Sequence, residues 1–234
     1  MQAAEHTIDH LLERVERLNE IGRALSADGD TEHLVEHILL GAKELTHADG
    51  GTLYLAEDGV LRFRVVRNDT LGIALGGTTG NPVDFPDLPL HKPDGTPNHA
   101  NVAAYAALTG EPVNIPDAYA AEGFDFSGMR KVDASTGYHS KSFLTVPLTN
   151  HEGEVIGVLQ LINAMNEARE VVAFSEEDQH LAESLASQAA VALTQQQLID
   201  AQRELFESFI QLIAKAIDEK SKHTSGHCQR VPEL

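Results

Sequence analysis

The stretch SFLTVPLTNHEGEVIGVLQLINA, Ser142–Ala164, sets two apolar runs rich in β-branched residues on either side of a Glu152-Gly153 turn. Runs of this length bounded by turn residues form strands, so the stretch is predicted to be a β-hairpin. Upstream, GGTLYLAEDGVLRFRVVRND, Gly50–Asp69, repeats the design around Asp58-Gly59, a strong short-range hairpin signal. Between the hairpins lie segments of weaker pattern. Thr70–Asn98 is rich in Gly, Pro and Asp, and a connection this long inside a domain is expected to be a functional loop or lid. NHANVAAYAALTG reads as a short helix ending at Gly110, EPVNIPDAY as a brief edge strand, and FDFSGMRKVDASTGYHSKS as loops carrying a short helix.

Helical patterns flank this β-rich centre. Ile8, Leu11, Val15, Leu18, Gly22 and Leu25 step by threes and fours, flanked by Glu13, Arg14, Glu16 and Arg17. They predict a heptad-striped helix from about Glu5 to Leu25. SADGD breaks it, and Thr31 is read as the cap of a second helix that carries Leu34, Ile38 and Leu45 on one face. After Phe174 one long helix is expected. Its stripe runs through Leu181, Leu185, Gln188, Ala192, Gln195, Ile199, Gln202, Phe206, Phe209, Ile213 and Ala216. As far as Leu193 it can lie on its own sheet; beyond Ile199 no further strand is left to cover it, and a partner helix is expected. The fold class is therefore α+β, an antiparallel sheet framed by N- and C-terminal helices, through which a homodimer is expected.

Charge and composition narrow the function. Of 234 residues, 36 are acidic and 17 basic, a formal charge of -19 with no local basic stripe. Such a chain is not expected to bind nucleic acid or an anionic membrane surface. No signal peptide or membrane span is read in it, and the lone Cys228 fits a reducing, cytoplasmic setting. The phosphate-binding, nucleophile-elbow and C-x-x-C motifs are all missing, so no catalytic residue is assigned.

With these landmarks in order, ADGGTLYLAEDGVLRF, GEPVNIPDAY, DASTGYHSKSFLTVPL and GEVIGVLQLINA together resemble a GAF domain. The likeness is to the GAF domains that regulate cyclic-nucleotide phosphodiesterases and some bacterial cyclases. It covers about Asn19 to Leu198 and implies helices on one face of the sheet and a ligand pocket on the other. The cyclic-nucleotide-binding subset carries a spaced motif of Asn-Lys, Phe, three residues, then Asp-Glu. Asn163, Phe174 and Asp178 match it, whereas Ala164 and Gln179 replace the Lys and the Glu. The resemblance implies a Lys–Asp pair that this chain cannot form.

By the same resemblance Thr52, Thr136, Ser140 and Gln160 are pocket groups, and Val102 and Ala103 open the helix whose amides receive a cyclic phosphate. Arg67, Asn68 and Asp69 are the candidates for base recognition. Thr136 before Gly137 also reads simply as a turn, and a backbone group would satisfy Gln160 as well as a ligand would. Cyclic AMP and cyclic GMP both stay open, as does a ligand-free dimerisation module.

Three histidine pairs sit four residues apart: His6 with His10, His33 with His37, and His223 with His227. The first two read as solvated faces. The third lies in AIDEKSKHTSGHCQRV, whose Ala216, Ile217, Asp218, Thr224, Gly226, His227, Arg230 and Val231 resemble the opening of an HD-GYP domain, a metal-dependent phosphodiesterase of cyclic di-GMP. That resemblance implies His227, and His223 in some members, as metal ligands, with iron or manganese held only once the rest of such a domain is present. No cofactor is expected in this fragment. The expected organisation is a dimerisation helix (1–26), a sensory domain (27–198), a connecting signalling helix (199–216) and the start of an output domain (217–234).

Overall fold

In the computed structural model the backbone is described for residues 2–225 and side-chain surroundings for residues 12–215. The elements run α1 (Gln2–Ala27), α2 (Thr31–Thr46), β1 (Ala48–Glu57), β2 (Val60–Asn68), β3 (Ile73–Gly76), β4 (Leu88–Pro89), α3 (Val102–Thr109), β5 (Val113–Ile115), α4 (Ser127–Thr136), β6 (Phe143–Thr149), β7 (Val155–Met165), β8 (Val171–Val172) and α5 (Glu176–Ser225). The chain divides into two compact units, Met1–Thr194 and Gln195–Leu234. His227 lies outside the described residues, and of His6, His10 and His223 only the helical backbone is described.

Both predicted hairpins form. Asp58 and Gly59 take φ of 51° and 80°, the left-handed pair that a two-residue turn between twisted strands requires. The second turn is closed by the Asn150 side chain, whose Oδ1 accepts from the amides of Glu152 and Glu154. All named strands join one antiparallel sheet of order β3-β2-β1-β7-β6-β5, with β4 on β2 and β8 on β7. The Thr70–Asn98 stretch is thus more structured than its composition suggests, because β3 and β4 both pair with β2.

Strand alternation gives the sheet two unlike faces. Leu53, Leu55, Val65, Leu144, Val146, Leu148, Leu159 and Leu161 point to one side, where they pack with Leu18, Ile21 and Leu25 of α1, Leu34 to Leu45 of α2 and Leu181 to Leu193 of α5. This is the main core. Gly51 allows a close approach: a Cβ there would lie 2.8 Å from Leu39 Cδ1 and 2.9 Å from the Gln160 carbonyl oxygen.

Two expectations change. The cap of α2 is Asp30, whose Oδ1 accepts from Glu32 and His33 amides at 2.8 and 3.1 Å, not Thr31. Part of the predicted helical seam is also used within the chain. Leu18, Gly22 and Leu25 are buried, as are Leu181 and Leu185, and Gly22 sits directly against Gln188. In the second unit Leu205, Phe206, Phe209, Ile210, Leu212 and Ile213 of α5 are exposed. Among the described residues no helix is long and apolar enough to cross a membrane.

Candidate functional site

The sheet face away from the main core carries a polar row between two apolar clusters. Register places Thr52 opposite Gln160 and Gln160 opposite Thr145, so three polar side chains cross three neighbouring strands in line. Gln160 Nε2 donates to Thr145 Oγ1 at 3.1 Å, and the Tyr54 hydroxyl reaches Gln160 Oε1 at 3.5 Å. Thr52 and Thr145 are buried, and burial pushes the Tyr54 phenol well above its ordinary range. On one side Tyr54, Leu61 and Val158 pack with Ala103 and Ala106 of α3; on the other Val102 packs with Ile115, Phe126 and Phe143. A few polar side chains converging among apolar ones under a helix can orient a polar ligand that enters there.

The first turn of α3 lies over this face. Its cap is Asn101, whose Oδ1 accepts from Ala103 N at 2.9 Å and Ala104 N at 3.1 Å. The amide of Ala103 expected to receive a phosphate is therefore already engaged. An anion binding there would have to displace the Asn101 side chain, and an Asn just before an Ala-rich helix was the sequence signal for that cap.

Behind α3, the α4–β6 connection is pinned by side chains. Asp133 accepts from Ser140 N and Ser140 Oγ, both at 2.8 Å, and from the Tyr119 hydroxyl at 2.7 Å. Asn163, at φ 58°, accepts from the Lys141 and Ser142 amides and donates to the His139 carbonyl. Tyr138 donates to Asp49 Oδ2 at 2.6 Å, and Thr70 donates to Asp49 Oδ1 at 2.7 Å. Burial and the Asp49 carboxylate push the Tyr138 phenol upward, with the Asn68 and Asn163 amides beside it. Thr136 is exposed; its hydroxyl donates to Val132 O and accepts from Tyr138 N, which is the turn reading. Ser140 is buried and committed to Asp133.

The three base-recognition candidates part company at the end of β2. Asn68 lies on the open face, its side chain across Gly50, and accepts from Leu71 N. Arg67 is one residue earlier and so points the other way, to α2. It donates to Glu36 Oε1 at 2.5 Å and to the Leu75 carbonyl at 2.6 Å. Asp69 accepts from the buried Lys43 of α2 at 2.5 Å. Arg67 and Asp69 therefore fasten the sheet to α2 and do not join the polar row. A separate cleft of about 880 Å³ opens beside them, with Lys43, His47, Asp49, Asp69 and Arg169 in its wall. It lies away from Thr52, Thr145 and Gln160, none of which lines it.

The architecture has known counterparts. The GAF domain family matches residues 30–193. The chain belongs to the GAF family. Solved structures share the fold. The GAF domain of a phosphoenolpyruvate-protein phosphotransferase from Coxiella burnetii superposes with a TM-score of 0.61 at 18% identity, covering 82% of this chain and 98% of that one. A free methionine-R-sulfoxide reductase from Neisseria meningitidis superposes with a TM-score of 0.57 at 17% identity, over 81% and 93%. Among curated proteins, a dual 3',5'-cyclic-AMP and -GMP phosphodiesterase 11 from Drosophila melanogaster is 39% identical over 99 residues, 42% of this chain and 6% of the relative. The phosphodiesterase 11A of Takifugu rubripes is 28% identical over 188 residues, 80% of this chain and 19% of the relative. The chain thus spans less than a fifth of these relatives' lengths.

Within this GAF domain the spaced motif serves as a set of structural ties. Asn163 holds the α4–β6 connection, as above. Phe174 is buried, and its carbonyl accepts from Asn114 Nδ2. Asp178 closes a reciprocal cap at the start of α5: its Oδ2 accepts from Ser175 N and Oγ, while Ser175 Oγ accepts from Asp178 N. With Ala164 in place of a Lys, the cation beside Asp178 comes from α1. Arg14 donates to Asp178 Oδ1 at 2.6 Å, Glu177 Oε1 at 2.8 Å and the Leu45 carbonyl of α2 at 2.6 Å. Among the described residues no group of three His, Cys, Asp or Glu is placed to hold a metal ion. His33 and His37 are exposed, and His37 Nδ1 is 2.6 Å from Asp28 Oδ2.

Glu36 makes the α2–β2 tie testable by pH. Burial raises its pKa, but hydrogen bonds from Thr78 and Arg67 outweigh that and hold it at about 2 against an ordinary 4.5. A carboxyl depressed in the folded state contributes stability that is fully present above the ordinary value and lost as pH falls through the folded one. Glu36→Gln should therefore lower stability at neutral pH and flatten the loss of stability between pH 4.5 and 2, as read by urea unfolding across that window.

Proposed function

We propose that this GAF domain is the sensor of a signalling protein and that it binds a cyclic nucleotide on the open face of the sheet. The observation that carries the reading is the polar row Thr52–Gln160–Thr145 beneath the first turn of α3, its threonines buried and its glutamine half-buried, between two apolar clusters. Relatives that carry similar sequence are named as phosphodiesterases of cyclic AMP and cyclic GMP, which supports the ligand class. The purine edge would meet the amide of Gln160 and the hydroxyls of Thr52 and Tyr54. The phosphate would meet the α3 amides once Asn101 lets go, with the helix dipole in its favour.

The output belongs to the same proposal. The closing residues resemble the start of an HD-GYP domain, so a cytoplasmic phosphodiesterase of cyclic di-GMP, loaded with iron or manganese, would follow. His227, with His223, would be among its ligands. A di-metal hydrolase needs more carboxylate and imidazole groups than these two, so this chain alone should not turn over cyclic di-GMP. The exposed apolar side chains from Leu198 to Ile213 support pairing with a second copy along α5, since a helix with such a face is stabilised by covering it.

Calorimetric titration with cyclic AMP, cyclic GMP and cyclic di-GMP should show saturable binding of cyclic AMP or cyclic GMP. Thr52→Val and Gln160→Leu should each weaken it by about tenfold, the worth of a buried hydrogen bond. Absence of heat with all three nucleotides contradicts the ligand reading. For the pairing, light scattering should give the mass of a dimer, and the double substitution Phe206→Asp, Phe209→Asp should give a folded monomer. A wild-type monomer at high concentration contradicts it.

A further inference from the structure

Next to the open face, α4 is held by few apolar contacts. Among its ten residues only Asp133 is buried, and the ties that Asp133 makes, to Ser140 and Tyr119, are polar. Met129 adds a partly buried apolar contact. At its C-terminal end Gly137 takes φ 74°, a conformation that glycine adopts without strain. Further on, Lys141 and Ser142 are pinned to Asn163. Between this glycine and this anchor stands Tyr138, whose hydroxyl crosses to Asp49 at the start of β1. Few apolar contacts and exposed backbone mark a segment that opens locally at low cost.

We infer that the Tyr138–Asp49 hydrogen bond is a latch that keeps α4 closed over the open face, and that a ligand enters when the latch releases. The inference rests on the reading that this face is the ligand site. Asp49 is suited to the task because it ties the α4–β6 connection to the start of β1 and to the turn after β2. It holds Tyr138 with one oxygen and Thr70 with the other, and its carbonyl accepts from Asp69 N. Asn68 and Asn163, already placed at this end of the sheet, flank the tyrosine hydroxyl. A site whose open form is sparsely populated binds with an affinity reduced by that population, so weakening the latch should tighten binding.

The test uses the full chain and Tyr138→Phe, which keeps the ring and removes only the donor. Thr70→Val serves as a control that strips Asp49 of its other side-chain partner. Asp49→Asn provides a second weakening of the latch should Tyr138→Phe fold poorly. Hydrogen exchange of the α4 amides, without ligand, should speed up by about tenfold in Tyr138→Phe and not in Thr70→Val, as expected for a lost hydrogen bond to a carboxylate. Titration with cyclic AMP and cyclic GMP should show binding tightened by a similar factor. Unchanged α4 exchange overturns the latch, and so does weaker nucleotide binding by Tyr138→Phe, which would make Tyr138 a ligand contact. If neither nucleotide binds wild type or variant, the ligand reading fails, and the exchange result alone decides the latch.

Discussion

The antiparallel register of β1 against β7 is the constraint from which the rest of this domain follows. Thr52 opposite Gln160 puts Leu53 opposite Leu159 and Gly51 opposite Leu161. The leucines then face α1, α2 and α5, and the polar pair faces α3. A slip of β1 by one residue would turn Leu53 outward and put Thr52 into the main core. Gly51 suits this register, because a Cβ there would press on the Gln160 carbonyl of β7 and on Leu39 of α2. The core and the candidate site are thus two consequences of one pairing.

Polar ties then join these layers at a few residues. Asn163, in a left-handed conformation at the end of β7, satisfies three backbone groups of the α4–β6 connection. Asp49 ties that connection to β1 and to the turn after β2. On the helix side, Arg67 with Glu36 and Lys43 with Asp69 lock β2 to α2, and Arg14 gathers the ends of α2 and α5 onto α1. With Ala164 at the motif position that the resemblance gives to Lys, Asp178 still has a cation beside it. The cation comes from α1, so this carboxylate links the start of α5 to α1.

Much of this was legible in the sequence because its signals are local. Asp58-Gly59 and the alternating runs beside it could only be a hairpin, and the period of α5 was plain over many turns. Arg67 was misplaced because period-two alternation makes a one-residue uncertainty a change of face: Asn68 lies on the open side and Arg67 on the other. β3 and β4 went unseen because strands of four and two residues are too short to show a period. Tyr138 with Asp49 was invisible for another reason: 89 positions separate the partners, and no local pattern pairs them. Asn101 was within reach, since a cap residue before a small-residue helix is a local signal.

The central claim is that the face bearing Thr52, Thr145 and Gln160 is the one that takes the ligand. The most direct measurement is a heteronuclear NMR titration of the chain with cyclic AMP and with cyclic GMP. The account predicts that side-chain and backbone shifts concentrate at Thr52, Thr145, Gln160 and the Asn101–Ala104 turn. Shifts confined to the cleft at Lys43, His47 and Arg169, or none with either nucleotide, would contradict it.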